Sequence, residues 1–144
     1  MKTLTVKALL LFVLALTPFS SCLAADSAEG LVKALTQAIK DKDISAANAL
    51  VDWRNAPVVA YRFFQMSIAD CFDPPFCKVS TGPLEEADRS PQGGYVYAVQ
   101  PEALLKVIPG DGNGDLTLPF AKVGSEYKIV MTQDTPETIA RAKA

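Results

Sequence analysis

The stretch SIADCFDPPFCKVSTGPL, residues 67–84, divides the chain in two. Before it, apolar residues recur at three- and four-residue steps. From Phe76 onward they alternate with polar ones, the change from a helical to a strand period. Between the halves, CFDPPFC (residues 71–77) sets two of the three cysteines around Pro74 and Pro75. A thioredoxin-like redox site would want two residues between its cysteines, not five. A zinc site wants four ligands, usually Cys and His, and the chain has no histidine. Cys71 and Cys77 therefore read as a structural disulfide. Closing so short a loop is worth about 2.4 kcal/mol in the chain-entropy formula, less whatever stiffness the prolines already give the unfolded loop. The staple clamps the corner where the last helix turns into the first strand. Helices first and consecutive antiparallel strands afterwards mean an α+β fold. The expected form is three N-terminal helices on one face of a curved antiparallel sheet of about four strands, with a short C-terminal helix.

The disulfide reading requires an oxidising compartment, and the N-terminus supplies one. Lys2 and Lys7 precede ALLLFVLAL (residues 8–16), an unbroken apolar run followed by Thr17-Pro18 and small residues. This is the pattern of a secretory signal peptide, since a run of nine is far short of the roughly 20 apolar residues that span a bilayer. Two exits are open. Cys22-Leu23-Ala24 suits cleavage after Ala24, leaving 25–144 as one α+β domain. Alternatively FSSC (residues 19–22) resembles a bacterial lipobox, with Phe19 where leucine is usual, so that residues 1–21 leave and Cys22 carries a lipid. Either exit withdraws Cys22 from the free thiols. The expected location is the periplasm or, through Cys22, the envelope membrane. Removing Lys2 and Lys7 from the 14 basic residues leaves 12 against 16 acidic ones, a net charge of −4. With no basic patch, nucleic acid is not an expected partner.

Within the domain, Leu31, Leu35 and Ile39 fall at four-residue steps with Ala34 and Ala38 beside them, an amphipathic helix over Ser27–Asp41. Asp43 suits the N-cap of a second short helix whose face is Ile44, Ala47, Leu50 and Val51. Pro57 starts a third, running to about Asp70. Val58, Tyr61, Phe64 and Ile68 line one side of it and Val59, Phe63 and Met66 another, so it is expected to be the most buried helix. Trp53 and Arg54 cover one end of the core. FCKVSTGPL is the first strand, EEADRSPQGG a polar loop, and residues 95–108 one bent strand or two around Pro101. DLTLPFAKV and EYKIVMT form a hairpin joined at Gly124-Ser125, and Thr135-Pro136-Glu137 opens the last helix. Alternate strand residues (Tyr95 and Tyr97, or Leu116, Leu118 and Phe120) are expected to face the helices.

This order resembles a known family. LVKALTQAIKDKDISAANALVDW (residues 31–53) is similar to the opening of small exported nuclear-transport-factor-2-like domains with the cystatin-like fold, some of them bacterial lipoproteins. LPFAKVGSEYKIVM (residues 118–131) is similar to their closing hairpin. The resemblance covers most of residues 27–132 and rests on packing features. It implies a cone-shaped fold with a pocket between sheet and helices, and it carries no activity, because the superfamily holds enzymes, binding modules and assembly domains alike.

Three constellations could carry chemistry. PGDGNGDL (residues 109–116) places Asp111, Asn113 and Asp115 at alternate positions, as a calcium loop does. Yet Leu116 stands where that loop needs glycine and Lys122 where it needs glutamate, so the stretch reads as a hairpin turn. Without histidine, acid–base work would fall to a carboxylate or tyrosine: Asp70 with Tyr61 or Tyr97, the aspartate–tyrosine pairing that related folds use on steroid-like substrates. A nucleophile lacks a base, and phosphate-loop and dinucleotide glycine patterns are absent. Trp53, Tyr61, Phe64, Tyr95, Tyr97 and Phe120 could line an apolar pocket, although such residues more commonly fill a core. Arg62, on the helix expected to be buried, must reach water, pair with an acid or face an anionic ligand.

The sequence thus points to a cofactor-free, non-catalytic binding domain that takes a protein or small apolar ligand at the sheet–helix opening. Its alternatives are a proton-transfer enzyme centred on Asp70 and a tyrosine, and a structural homodimer that buries the outer face of the sheet.

Overall fold

The computed structural model describes residues 25–91 and 93–144; the leader and Cys22 lie outside the described residues. Among the described residues, five helices and seven strands follow one another. They are α1 (Ala28–Lys40), α2 (Ile44–Ala49), β1 (Val51–Asp52), α3 (Val58–Ala69), β2 (Lys78–Gly82), α4 (Glu86–Arg89), β3 (Tyr95–Tyr97), β4 (Ala103–Ile108), β5 (Leu116–Val123), β6 (Glu126–Val130), β7 (Thr132–Asp134) and α5 (Pro136–Ala142). The fold is α+β.

Local chemistry sets the helix ends. Ser27 Oγ accepts from the Gly30 amide at 3.0 Å, Asp43 Oδ1 from Ala46 at 3.0 Å and Thr135 Oγ1 from Thr138 at 3.2 Å, each satisfying an amide that the first turn leaves unpaired. The α1–α2 corner is a Schellman turn. Lys42 sits at φ 54°, its amide donates to the Ile39 carbonyl, and the Asp43 amide reaches back to Ala38. Leu31, Leu35 and Ile39, the stripe read from the sequence, are almost completely buried.

The main sheet runs β1-β6-β5-β4-β2. β2, β4, β5 and β6 form an antiparallel meander, with Leu105 opposite Leu118 and Phe120 opposite Ile129. Side chains alternate across it, so Leu105, Val107, Leu118, Phe120 and Ile129 face the helices in one core with α1, Phe64 and Ile68. Leu104, Ala121 and Val130, on the opposite face, are buried as well but outside that core.

The structure corrects the expected architecture in four places. The sheet has five strands, not about four, and is mixed, because β1 pairs parallel to β6 through Val51↔Ile129 and Asp52↔Val130. Val51 therefore belongs to a strand and not to the face of α2. Two residues are too few to show a period, and their partner lies far along the chain. Tyr95 and Tyr97 do not face the helices of the main sheet: β3 leaves it and pairs with β7 in a separate two-stranded ribbon. The loop EEADRSPQGG contains α4, started by a capping box between Glu85 and Asp88. Most consequentially, α3 is not the most buried helix. Only Phe64 and Ile68 are buried, while Val59, Phe63 and Met66 stand 62–70% exposed. α1 lies against the sheet at β2 and β6, and α3 contacts α2, so one ridge of α3 reaches the core and the opposite one is exposed among the described residues.

Cys71 and Cys77 are joined in a disulfide, both sulfur-bearing residues buried, as read from the sequence. The loop they close is held from outside too. A Cβ on Gly110 would overlap the Pro75 carbonyl and ring, so glycine lets the β4–β5 turn lie directly on the prolines.

Candidate functional site

Three features are candidates for function: the aromatic cluster at the start of α3, the ion pair of Asp52 on β1, and the outward face of α3. In the first, the indole of Trp53 stands edge-on to Tyr61 (centroids 4.9 Å apart) and to Phe64 (5.5 Å). Such geometry adds to burial through the ring quadrupoles. Its N–H donates to the Asn48 carbonyl at 2.9 Å. The Tyr61 hydroxyl accepts from Gln65 Nε2 at 2.9 Å and from Asn48 Nδ2 at 3.3 Å. Asn48 Oδ1 is buried without a partner among the described residues. This network fastens α2 to the first turns of α3.

Of the pocket candidates, Phe64 and Phe120 are core, Trp53 is half-buried, and Tyr61 and Tyr95 are exposed. Phe120 stacks edge-on against Tyr127. The interior between helices and sheet is occupied by Phe64, Leu105, Phe120 and Ile129, all at most 2% exposed. A cleft of about 380 Å³ lies elsewhere, between the Asn55–Ala56 turn and Gln133, Asp134, Pro136 and Ile139.

The acid–base candidates are not brought together. Tyr61 and Asp70 are nine residues apart on one helix, about 13 Å along its axis. Asp70 caps α3 and is exposed. Tyr97 lies on the separate ribbon, where burial first and the Asp88 carboxylate second push its phenol above the usual value. In the glycine-rich turn, Asp111 Oδ1 accepts from the Asn113 amide at 3.0 Å, and Asp111, Asn113 and Asp115 are all exposed. Gly112 and Gly114 have positive φ with open space around them. Among the described residues, no group of three or more His, Cys, Asp or Glu is placed to hold a metal ion. Arg62 is exposed and makes no ion pair among the described residues.

One buried charge was missed in the sequence. Asp52, 7% exposed, accepts from Arg54 Nε at 2.8 Å and Nη2 at 2.7 Å, a two-pronged pair. The available signal was the spacing, an acid and an arginine two residues apart on an extended segment. The Arg54 hydrogen bonds hold the Asp52 carboxyl below its ordinary 3.8 against the opposing effect of burial, with Lys128 adding a smaller pull. A carboxyl whose folded value is lowered contributes stability above the unfolded value and loses it as pH falls through the folded one. The unfolding free energy of wild type relative to Asp52→Asn should thus be flat above about pH 5 and shrink below about pH 4. Parallel curves for the two proteins in urea unfolding would mean that Asp52 is not the titrating group.

The third feature is the outward face of α3. Met66 is 70% exposed, with Val59 and Phe63 at 69% and 62%. These residues share one side of the helix because they recur at four- and three-residue steps. Arg62 and Asp70, both exposed, flank Met66 one turn to either side. The signal was visible in the sequence as the second apolar stripe, which was expected to be core.

No protein-family model, curated protein or solved structure matches the chain. Among the described residues, no helix is long and apolar enough to cross a membrane.

Proposed function

We propose that this protein is an exported, non-catalytic interaction domain that engages a protein partner through the outward face of α3. One observation carries the reading: a helix with three large apolar side chains more than 60% exposed on one face. Singly exposed apolar residues are ordinary, but a contiguous stripe on one helix face is characteristic of a recognition surface. Helices that bind in this way present anchors at three- and four-residue spacing, the spacing of Val59, Phe63 and Met66. The filled interior favours a surface over an internal ligand pocket as the place of binding. Export is supported by the positively charged, apolar leader and by the disulfide, a bond of oxidising compartments. The helix-first order and closing hairpin support a nuclear-transport-factor-2-like scaffold, used here for its exterior.

The test is photo-crosslinking in living cells, with p-benzoylphenylalanine placed at Phe63 of the full chain. A discrete adduct that disappears when Met66→Glu is added is the expected result. No adduct at position 63, or one equally abundant from the exposed Lys33 on α1, would remove the interaction surface.

A further inference from the structure

The charges on this face indicate what covers it. Val58, Arg62, Met66 and Asp70 are four residues apart and form a single ridge along α3, with Val59 and Phe63 on one side of it and Ala69 on the other. From Arg62 onward the ridge carries a cation, then Met66, the most exposed large apolar side chain of the described helices, and then an anion. When two helices pack through such four-step ridges, they cross at about −50° with the ridges running alongside each other. A twofold axis near Met66 reverses one ridge relative to the other. Arg62 then stands beside the partner's Asp70, and Asp70 beside the partner's Arg62. A twofold interface must be complementary to itself, and the ridge from Arg62 to Asp70 is: reversal matches each charge to its opposite and the central Met66 to its own copy.

We infer that the occupant of the outward α3 face is a second copy of this chain, docked as a twofold dimer with its centre at Met66. This rests on the interaction reading above and names the partner for that surface. It differs from a dimer built on the outer face of the sheet, where Leu104, Ala121 and Val130 are already buried within one chain. Arg62 and Asp70 form no ion pair among the described residues, which leaves both available to pair across the axis. Ala69 beside the ridge leaves room for the close approach that helix crossing requires.

Site-directed cysteine crosslinking of the full chain, expressed from its complete sequence, tests the geometry. Met66→Cys should convert to a disulfide-linked dimer on mild oxidation, read on a non-reducing gel. Lys33→Cys, exposed on α1 and on a different element from the ridge, should stay monomeric. In the Met66→Cys background, Arg62→Asp or Asp70→Arg alone turns two attractive pairs repulsive, and should slow dimer formation about tenfold. Arg62→Asp with Asp70→Arg restores both pairs and should recover the original rate. Equal crosslinking at positions 33 and 66, or no rescue by the double reversal, would overturn the proposed dimer. A photo-adduct at position 63 whose mass is not that of a doubled chain, with no crosslinking at 66, would remove self-association and leave the interaction surface standing. Absence of both would remove the two together.

Discussion

Phe64→Ala should lower the unfolding free energy by about 3–5 kcal/mol, the range for truncating a buried phenylalanine. Phe64 is 1% exposed and, with Ile68, is all that α3 buries in the core. Its ring also supports Trp53, 5.5 Å away edge-on. Deleting it opens a cavity beneath α3 and weakens the contact between α3 and the rest of the molecule. Trp53 is the sole tryptophan, so its fluorescence reports urea unfolding from the damaged site itself. The adjacent Phe63, 62% exposed, should tolerate alanine within about 0.5 kcal/mol. Similar losses at both positions would mean that α3 is buried on both sides.

Loss of the staple is the second large effect. Replacing Cys71 and Cys77 with alanine should cost about 2–4 kcal/mol. The lower end is the loop entropy, reduced by the prolines' own stiffness. The upper end includes the packing lost when two buried sulfurs are removed. The damage should spread, since the 71–77 loop joins α3 to β2 and its Pro75 supports the β4–β5 turn at Gly110. Faster hydrogen exchange at the turn amide of Gly112, which donates to the Pro109 carbonyl, would record that spread. An unchanged urea midpoint in the double variant would show that neighbouring contacts alone hold the corner.

The legible parts of this fold were those written in local chemistry. The α1 stripe of Leu31, Leu35 and Ile39, the caps at Asp43 and Thr135, the disulfide and the Gly124 hairpin each depend on residues within a turn or two of one another. What was not legible depended on where distant segments arrive. The two residues of β1 carry no period, and only β6, far along the chain, makes them a parallel strand. Tyr95 to Tyr97 alternate like any strand, yet their partner is β7 and not the main sheet. Both apolar stripes of α3 were visible, but periodicity reports which residues are apolar and not whether a neighbour covers them. Because α3 packs on α2 from the edge of the domain, its second stripe became surface. The candidate site was thus present in the sequence as residues and absent as an orientation.

The most direct test is the unfolding free energy of the combined variant Val59→Gln, Phe63→Gln and Met66→Gln, at protein concentrations low enough to keep any dimer dissociated. Glutamine is a good helix former, so only the apolar contacts of the stripe are removed. If α3 faces solvent within one chain, the variant stays within about 1 kcal/mol of wild type. A loss of several kcal/mol, comparable to that of Phe64→Ala, would place the stripe inside the protein's own core and leave no surface for a partner.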